Sequence, residues 1–285
     1  MAATLAWGST FVVTKQSLSD MSTANFLAWR FGLAAALLLG ARPRRILNLT
    51  GTDRRHGLLL GGFLACGFLL QTTALHDIDA GLSGFLTGTA VLLTPVVAWL
   101  AFAERIGRAG WAAVAICAGG LALLTTTGGS AAPVPVLLTL GGAACFAGHI
   151  ASLSHWATPG NAYPLTAWSV AVAAILCGTV AVVGTGLSLP QTQAAWRSVG
   201  YLAVVATCAG LVVQAWAQSA LTATTSAVIM TMEPVFAALL AAGIAGERLP
   251  AAGWTGGLLV VGSMFIAELG PRQCCDALSP RVECC

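Results

Sequence analysis

The sequence predicts an all-α integral membrane protein, with ten transmembrane helices arranged as two inverted five-helix repeats. Three observations carry that prediction. The 285-residue chain is 57% hydrophobic and only 8% charged. A soluble domain averages about a quarter charged residues, so this chain cannot cover a water-facing surface. Its apolar residues fall in ten continuous runs, and its second half repeats the first at an offset of 143 residues that shifts locally to 139.

A spanning helix needs about 20 mostly apolar residues. In order, the runs cover 2–18, 23–41, 57–76, 81–103, 109–126, 134–154, 164–186, 198–219, 224–245 and 251–269. The first is read as a true span and not a cleavable leader, because it has no basic n-region and no small-residue cleavage site. "LSDMS" closes the first hairpin, "RPRRILNLTGTDRRH" links to the third span, "HDID" turns into the fourth and "ERIGRAG" into the fifth. "TTTGGSAAP" marks the midpoint. "HWATPGNAYP", "SLPQTQAAWRS", "ALTA" and "GERLP" separate the rest, with the Gly, Pro, Ser and Asn punctuation of turns. Continuous runs, without alternation, exclude a β-barrel. The expected units are 1–128 and 129–270 for the repeats and 271–285 for a short Cys-rich cytoplasmic tail.

Charge sets the orientation, since cytoplasmic loops are enriched in Lys and Arg. With the N-terminus inside, the cytoplasmic segments hold Arg42, Arg44, Arg45, Arg54, Arg55, Arg105, Arg108, Arg272 and Arg281, against Arg197 and Arg248 outside. Both termini are therefore expected in the cytoplasm. The basic residues form no single stripe, which argues against nucleic-acid binding. Five cysteines are scattered singly through apolar runs, as small hydrophobes are. Four more form two adjacent pairs in the tail, without the ligand spacing of a zinc site.

The repeat appears on comparing residues 67–120 with 210–263. Gln71 matches Gln214, Glu104–Arg105 matches Glu247–Arg248, Trp111 matches Trp254 and Gly119 matches Gly262, each pair 143 positions apart. Pro95 and Pro234, Trp29 and Trp168, and Trp7 and Phe146 are 139 apart. Five spans per half is an odd number, so the second half enters the membrane from the opposite side, as in many secondary transporters.

"LAWGSTFVVTK", "AWRFGLAAALLL", "GFLLQTTAL", "GFLTGTAVLLTPVVAWLAFAERI" and "VIMTMEPVFAALLAAGIAGERL" resemble the EamA-type branch of the drug/metabolite transporter superfamily. The likeness runs from Trp7 to about Leu269, and the paired "TP…ER" and "EP…GER" motifs carry most of its specificity. The resemblance implies ten helices in two inverted repeats and the export or exchange of small organic solutes. It also implies a central cavity lined chiefly by helices 1, 3, 4, 6, 8 and 9.

Polar residues inside the spans are the candidate substrate contacts: Trp7, Lys15, Arg30, Gln71, His149, Gln214 and Glu233. Glu233 lies about 13 Å into its helix at 1.5 Å per residue, where a charge is costly unless it faces protein or water. It would hold a cationic group or a coupling proton, or else bond a neighbouring helix. Lys15 and Arg30 flank the first hairpin at similar depth. Together they would attract a carboxylate or phosphate; the competing reading has Lys15 snorkelling and Arg30 bonding helix-end carbonyls. Gln71 and Gln214 both donate and accept, for a solute or for another helix. Trp7, with Trp29, Trp168 and Trp216, would supply aromatic walls. His149, near the cavity face that the resemblance implies, would meet substrate or a proton. Pro95 and Pro234 are expected as hinge or cavity-shaping positions. Gly119, Gly120, Gly256 and Gly257 are expected to let helices 5 and 10 pack closely, within the chain or across a homodimer.

The chain carries no Walker-type phosphate loop, HExxH, G-x-S-x-G or dinucleotide fingerprint. The expectation is a non-enzymatic, cofactor-free bacterial inner-membrane exporter of a small metabolite or drug-like solute, working by alternating access. Its expected partners are the solute, protons and membrane lipids. The alternatives are a membrane-embedded enzyme acting on a lipid-linked substrate and a non-transporting sensor or scaffold.

Overall fold

A computed structural model describes residues 2–103, 108–127, 132–184, 186–220, 230, 232–247 and 250–269. Among these residues every regular element is helical. In chain order they are α1 (Ala2–Ser17), α2 (Thr23–Ala41), α3 (Pro43–Leu47), α4 (Gly51–Ala74), α5 (Ala80–Gly88), α6 (Ala90–Phe102), α7 (Arg108–Thr127), α8 (Pro133–Trp156), α9 (Ala162–Gly184), α10 (Gln193–Tyr201), a π-helical segment (Leu202–Ala209), α11 (Gly210–Ala220), α12 (Met232–Ile244) and α13 (Ala251–Leu269). Six stretches are long and apolar enough to cross a membrane: Thr23–Ala41, Gly51–Ala74, Ala80–Phe102, Pro133–Trp156, Ala162–Gly184 and Gln193–Ser219. Arg108–Leu123, Met232–Ile244 and Ala251–Ile266 are shorter apolar helices. The Glu104–Arg105 pair, Arg248 and the Cys-rich tail lie outside the described residues.

Two spans start earlier than hydropathy suggests, because polar caps extend them. Helix α4 begins at Gly51 and not near residue 57. The Thr50 hydroxyl accepts the Asp53 amide at 3.0 Å and donates to its carboxylate at 2.7 Å, satisfying orphan donors of the first turn. Helix α10 begins at Gln193 and not near 198; the Thr192 hydroxyl accepts the Ala195 amide at 3.0 Å. Two other spans are interrupted. The fourth breaks at Thr89, between α5 and α6, and the eighth passes through the π-helical segment.

Numbered by the ten apolar runs of the sequence, several packed helix pairs lie five runs apart. Helix α2 lies on α9, α7 on α13 and α5 on α12; each pairs a span with the span five further on. The contact of α1 with α12 becomes, under the same shift, the contact of α8 with α5 and α6, which is also present. Small residues bring these pairs close. A methyl group at Gly120 of α7 would fall 2.8 Å from the Gly256 carbonyl oxygen of α13, and one at Gly257 would meet the Phe85 ring. Gly120, Gly256 and Gly257 are thus used inside the bundle.

Individual contacts repeat reciprocally. Trp7 of the first span covers Gly210 of the eighth, and Phe146 of the sixth covers Gly67 of the third. The Trp29 indole of the second span donates to the Ser188 carbonyl, beyond the seventh, at 2.7 Å. The Trp168 indole of the seventh donates to the Arg54 carbonyl, at the start of the third, at 3.1 Å.

Candidate functional site

A cavity opens where α1, α2, α4, α5, α6, α8, the π-helical segment, α11 and α12 converge. Its volume is about 80 Å³. One water needs roughly 10–15 Å³, so there is room for several waters or a small organic molecule. Six of the seven residues singled out as substrate contacts line it: Trp7, Arg30, Gln71, His149, Gln214 and Glu233. Its wall comes from the helices that the family resemblance implies, with Arg30 of the second span added.

Arg30 is 2% exposed. Its Nε donates to Thr207 Oγ1 at 3.0 Å, and its guanidinium lies 4.5 Å from the Phe68 ring centroid and 5.5 Å from that of Phe31. These contacts hold the group by one hydroxyl and two aromatic faces. Among the described residues no carboxylate pairs with it. It does not bond helix-end carbonyls, the competing reading of the sequence.

Glu233 enters from α12, in the first turn of the described helix. Among the described residues no hydrogen-bond or ion-pair partner faces its carboxylate. The cavity therefore joins one cation and one carboxylate, neither neutralised by an opposite charge among the described residues.

The neutral polar groups divide. Gln71 donates from Nε2 to Thr87 Oγ1 at 2.7 Å, tying α4 to α5. His149 Nδ1 lies 3.3 Å from the Leu60 carbonyl oxygen, tying α8 to α4. Gln214 lines the cavity without a side-chain bond among the described residues. The Trp7 indole donates to the Ala206 carbonyl at 2.9 Å. The π-helical segment makes that contact fit: the Gly210 amide is directed to the Val205 and Thr207 carbonyls in place of Ala206.

Pro95 and Pro234 do not line the cavity. Each lacks the amide that would bond the carbonyl four residues back, which belongs to Val91 and Met230, and both of those line it. Pro234 also packs on Gly88, where an added methyl would fall 2.9 Å from its Cγ.

Lys15 departs from expectation. It lies outside the cavity and away from Arg30, with Nζ donating to the Ile78 carbonyl at 2.8 Å and standing 3.4 Å from Asp79 Oδ1 and 3.6 Å from Glu247 Oε1. Its partners come from turns remote in sequence, so the hairpin spacing that paired it with Arg30 misled. Of the other tryptophans, Trp29 and Trp168 bond the loop and helix-start carbonyls described above, and Trp216 is 60% exposed. Thr207 and Phe68, which hold Arg30, carry no local sequence signal.

A model of the EamA-like transporter family matches residues 1–126 and 134–268. An Archaeoglobus fulgidus protein named uncharacterized transporter is 29% identical over 265 residues, covering 93% of this chain and 83% of that protein. The Escherichia coli K12 uncharacterized inner membrane transporter YedA is 26% identical over 277 residues, covering 93% and 88%. The Bacillus subtilis uncharacterized transporter YwfM is 24% identical, covering 96% and 93%. A solved crystal structure superposes with a TM-score of 0.70 at 18% identity, covering 94% of each chain, and so shares the fold.

Proposed function

The chain belongs to the EamA-like transporter family, and from that premise we propose that it exports a small zwitterionic organic solute by alternating access. The observation that carries this reading is the pairing of Arg30 and Glu233 in one cavity, each without an opposite charge among the described residues. A buried charge is costly unless something compensates it. A carboxylate or other oxyanion at Arg30 and an ammonium group at Glu233 would compensate both. Trp7, Phe68 and Phe146 would take up apolar surface, and Gln214 would contribute a free amide. When no solute is bound, protonation of Glu233 would remove one charge and couple the cycle to protons.

Two inverted five-helix repeats, 1–128 and 129–270, give that cavity a route to both sides. The reciprocal Trp7–Gly210 and Phe146–Gly67 contacts and the exchanged Trp29 and Trp168 bonds support this arrangement. So do the ends of the α5–α6 rod. Ala80 at its start touches Glu247, whereas Phe102 at its far end stacks on His155 with ring centroids 4.2 Å apart. The segments next to the two Glu-Arg motifs would therefore lie at opposite ends of the bundle. By the Arg distribution, the Phe102 end and both termini would face the cytoplasm.

Purified protein would first be screened by thermal shift against amino-carboxylate zwitterions, their esters and their N-acyl derivatives. Flux would then be measured in proteoliposomes with and without a pH gradient. Stabilisation and flux with the zwitterion but neither derivative supports the reading; equal response to all three sinks it.

A further inference from the structure

We propose that Glu247 and Lys15 form a latch that closes one end of the cavity by holding the two halves of the chain together. Glu247 follows α12, in a turn whose backbone fixes it firmly. Gly246 adopts the left-handed region at φ 67°, and the Glu247 amide reaches back to the Ala241 carbonyl at 3.2 Å, the helix ending that glycine permits. The carboxylate then crosses to the first half. Oε1 accepts the Ala80 amide at 2.8 Å and Oε2 accepts the Gly81 amide at 2.9 Å.

Those amides are orphan donors of the first turn of α5. The residue placed to cap them locally is Asp79, and its side chain makes no cap bond. A carboxylate 167 positions away does so instead, in the favourable field of the helix N-terminus. Lys15, at the end of α1, completes the cluster through the Ile78 carbonyl, Asp79 and Glu247. One ammonium thus bridges α1, the α4–α5 turn and the α12–α13 turn.

The same order runs along all three helices that meet here. On α1, Trp7 and Phe11 line the cavity and Lys15 is in the latch, spaced four residues apart on one face. On α5, Thr87 and Gly88 line the cavity, Gly84 packs on Ala237, and Ala80 and Gly81 are in the latch. On α12, Glu233 lines the cavity, Ala237 and Ala241 are buried beside Phe11, and Glu247 follows. Between cavity and latch α5 and α12 touch without space: a methyl at Gly84 would fall 2.4 Å from Ala237 Cβ. The packing between is largely apolar, with Phe11, Val12, Leu75, Ala237 and Ala241 buried together; the Ser83 hydroxyl of α5 is buried without a hydrogen-bond partner among the described residues. Among the described residues, the ionic cluster supplies the directional bonds that join α12 and the turn after it to α1 and α5; elsewhere at this end Asp20 and Asn25 bond Thr192, Gly186 and Ser188. Opening here requires α12 to leave α1 and α5, and Glu247 to surrender both amides.

The test labels a Thr10→Cys reporter in the cavity with a membrane-impermeant maleimide, using the full chain in liposomes and subtracting labelling of the native cysteines. A separate Ser19→Cys protein, marking the exposed first hairpin, identifies the side of the membrane to which the latch faces. Glu247→Ala is expected to speed Thr10→Cys labelling from that side by about tenfold, the scale of a lost hydrogen bond to a charged group. Lys15→Met, which leaves the helix cap in place, is expected to speed it less. Unchanged labelling in Glu247→Ala overturns the latch, as does a rise confined to the opposite side. If Glu247→Ala does not accumulate as folded protein, unchanged labelling in Lys15→Met overturns it. Labelling reads conformation without any solute, so this result stands apart from the transport reading.

Discussion

Arg30 donates its Nε–H to Thr207 Oγ1 across 3.0 Å, joining the second span to the π-helical segment of the eighth. The bond uses one edge of the guanidinium and leaves the terminal nitrogens for a ligand. Arg30→Lys keeps the charge but loses the planar fork and the Thr207 bond. It is expected to cut proteoliposome flux by at least about tenfold, the scale of one hydrogen bond to a charged group. Thr207→Val leaves the charge and removes its anchor, so it should raise KM several-fold with a smaller change in maximal rate. Equal flux in Arg30→Lys and the parent would remove Arg30 from solute binding.

Glu233→Gln replaces a carboxylate with an amide of the same shape. If the carboxylate holds the ammonium end of a zwitterion, the variant should bind the solute about tenfold more weakly or worse, by loss of a charge-assisted bond. It should retain binding of a derivative whose amine is acylated. If Glu233 also carries the coupling proton, the stimulation of flux by a pH gradient should vanish in the variant while exchange of solute for solute persists. Flux that follows the gradient as in the parent would assign proton coupling elsewhere.

The two glutamines, 143 positions apart in the sequence, should respond differently. Gln71 is bonded to Thr87 at 2.7 Å, whereas Gln214 lines the cavity with no side-chain partner among the described residues. Gln71→Met should lower the thermal stability of detergent-purified protein, by about 0.5–1.5 kcal/mol for one interhelical bond. Gln214→Met should leave stability close to the parent and shift solute affinity. A reversed pattern would mean that Gln214 is structural and Gln71 is the contact.

The contrast between these two residues marks the limit of the sequence. Gln71, Gln214, Arg30 and Glu233 were legible as cavity candidates because a polar group inside an apolar run is costly and must be compensated. Hydropathy also located the six helices that are long and apolar enough to span; Trp7 and Phe146, 139 positions apart, each cover a glycine of a facing helix. What was not legible depends on partners far away in the chain. Lys15 looked like half of a cation pair with Arg30, yet its bonds go to Ile78, Asp79 and Glu247. The π-helical segment, which redirects the Gly210 amide and accommodates the Trp7 indole at Ala206, has no signature in composition or period. The early start of α4 was hidden because its first two turns are polar, and only the Thr50–Asp53 cap reveals them as helix.

Adjacent glycines on α4 provide a stability test with an internal control. A methyl at Gly61 would fall 2.5 Å from Val172 Cβ and 2.6 Å from the Ser169 carbonyl oxygen of α9, whereas a methyl at Gly62 meets nothing within 4 Å. The Ser169 oxygen is backbone and cannot rotate away, so Gly61→Ala forces α4 and α9 apart. Overpacking of this kind costs typically about 1–3 kcal/mol. Gly62→Ala adds helix propensity worth up to about 1 kcal/mol at no steric cost, so it should match or exceed parental stability. Helix α4 also carries Leu64, Phe68 and Gln71 into the cavity and, through the Leu60 carbonyl, holds His149. Displacing it should therefore weaken solute binding in Gly61→Ala together with stability, while Gly62→Ala leaves binding unchanged. Thermal unfolding and solute-induced shift, read on the same samples, check both; equal behaviour of the two variants would show that α4 and α9 are not held as closely as 2.6 Å implies.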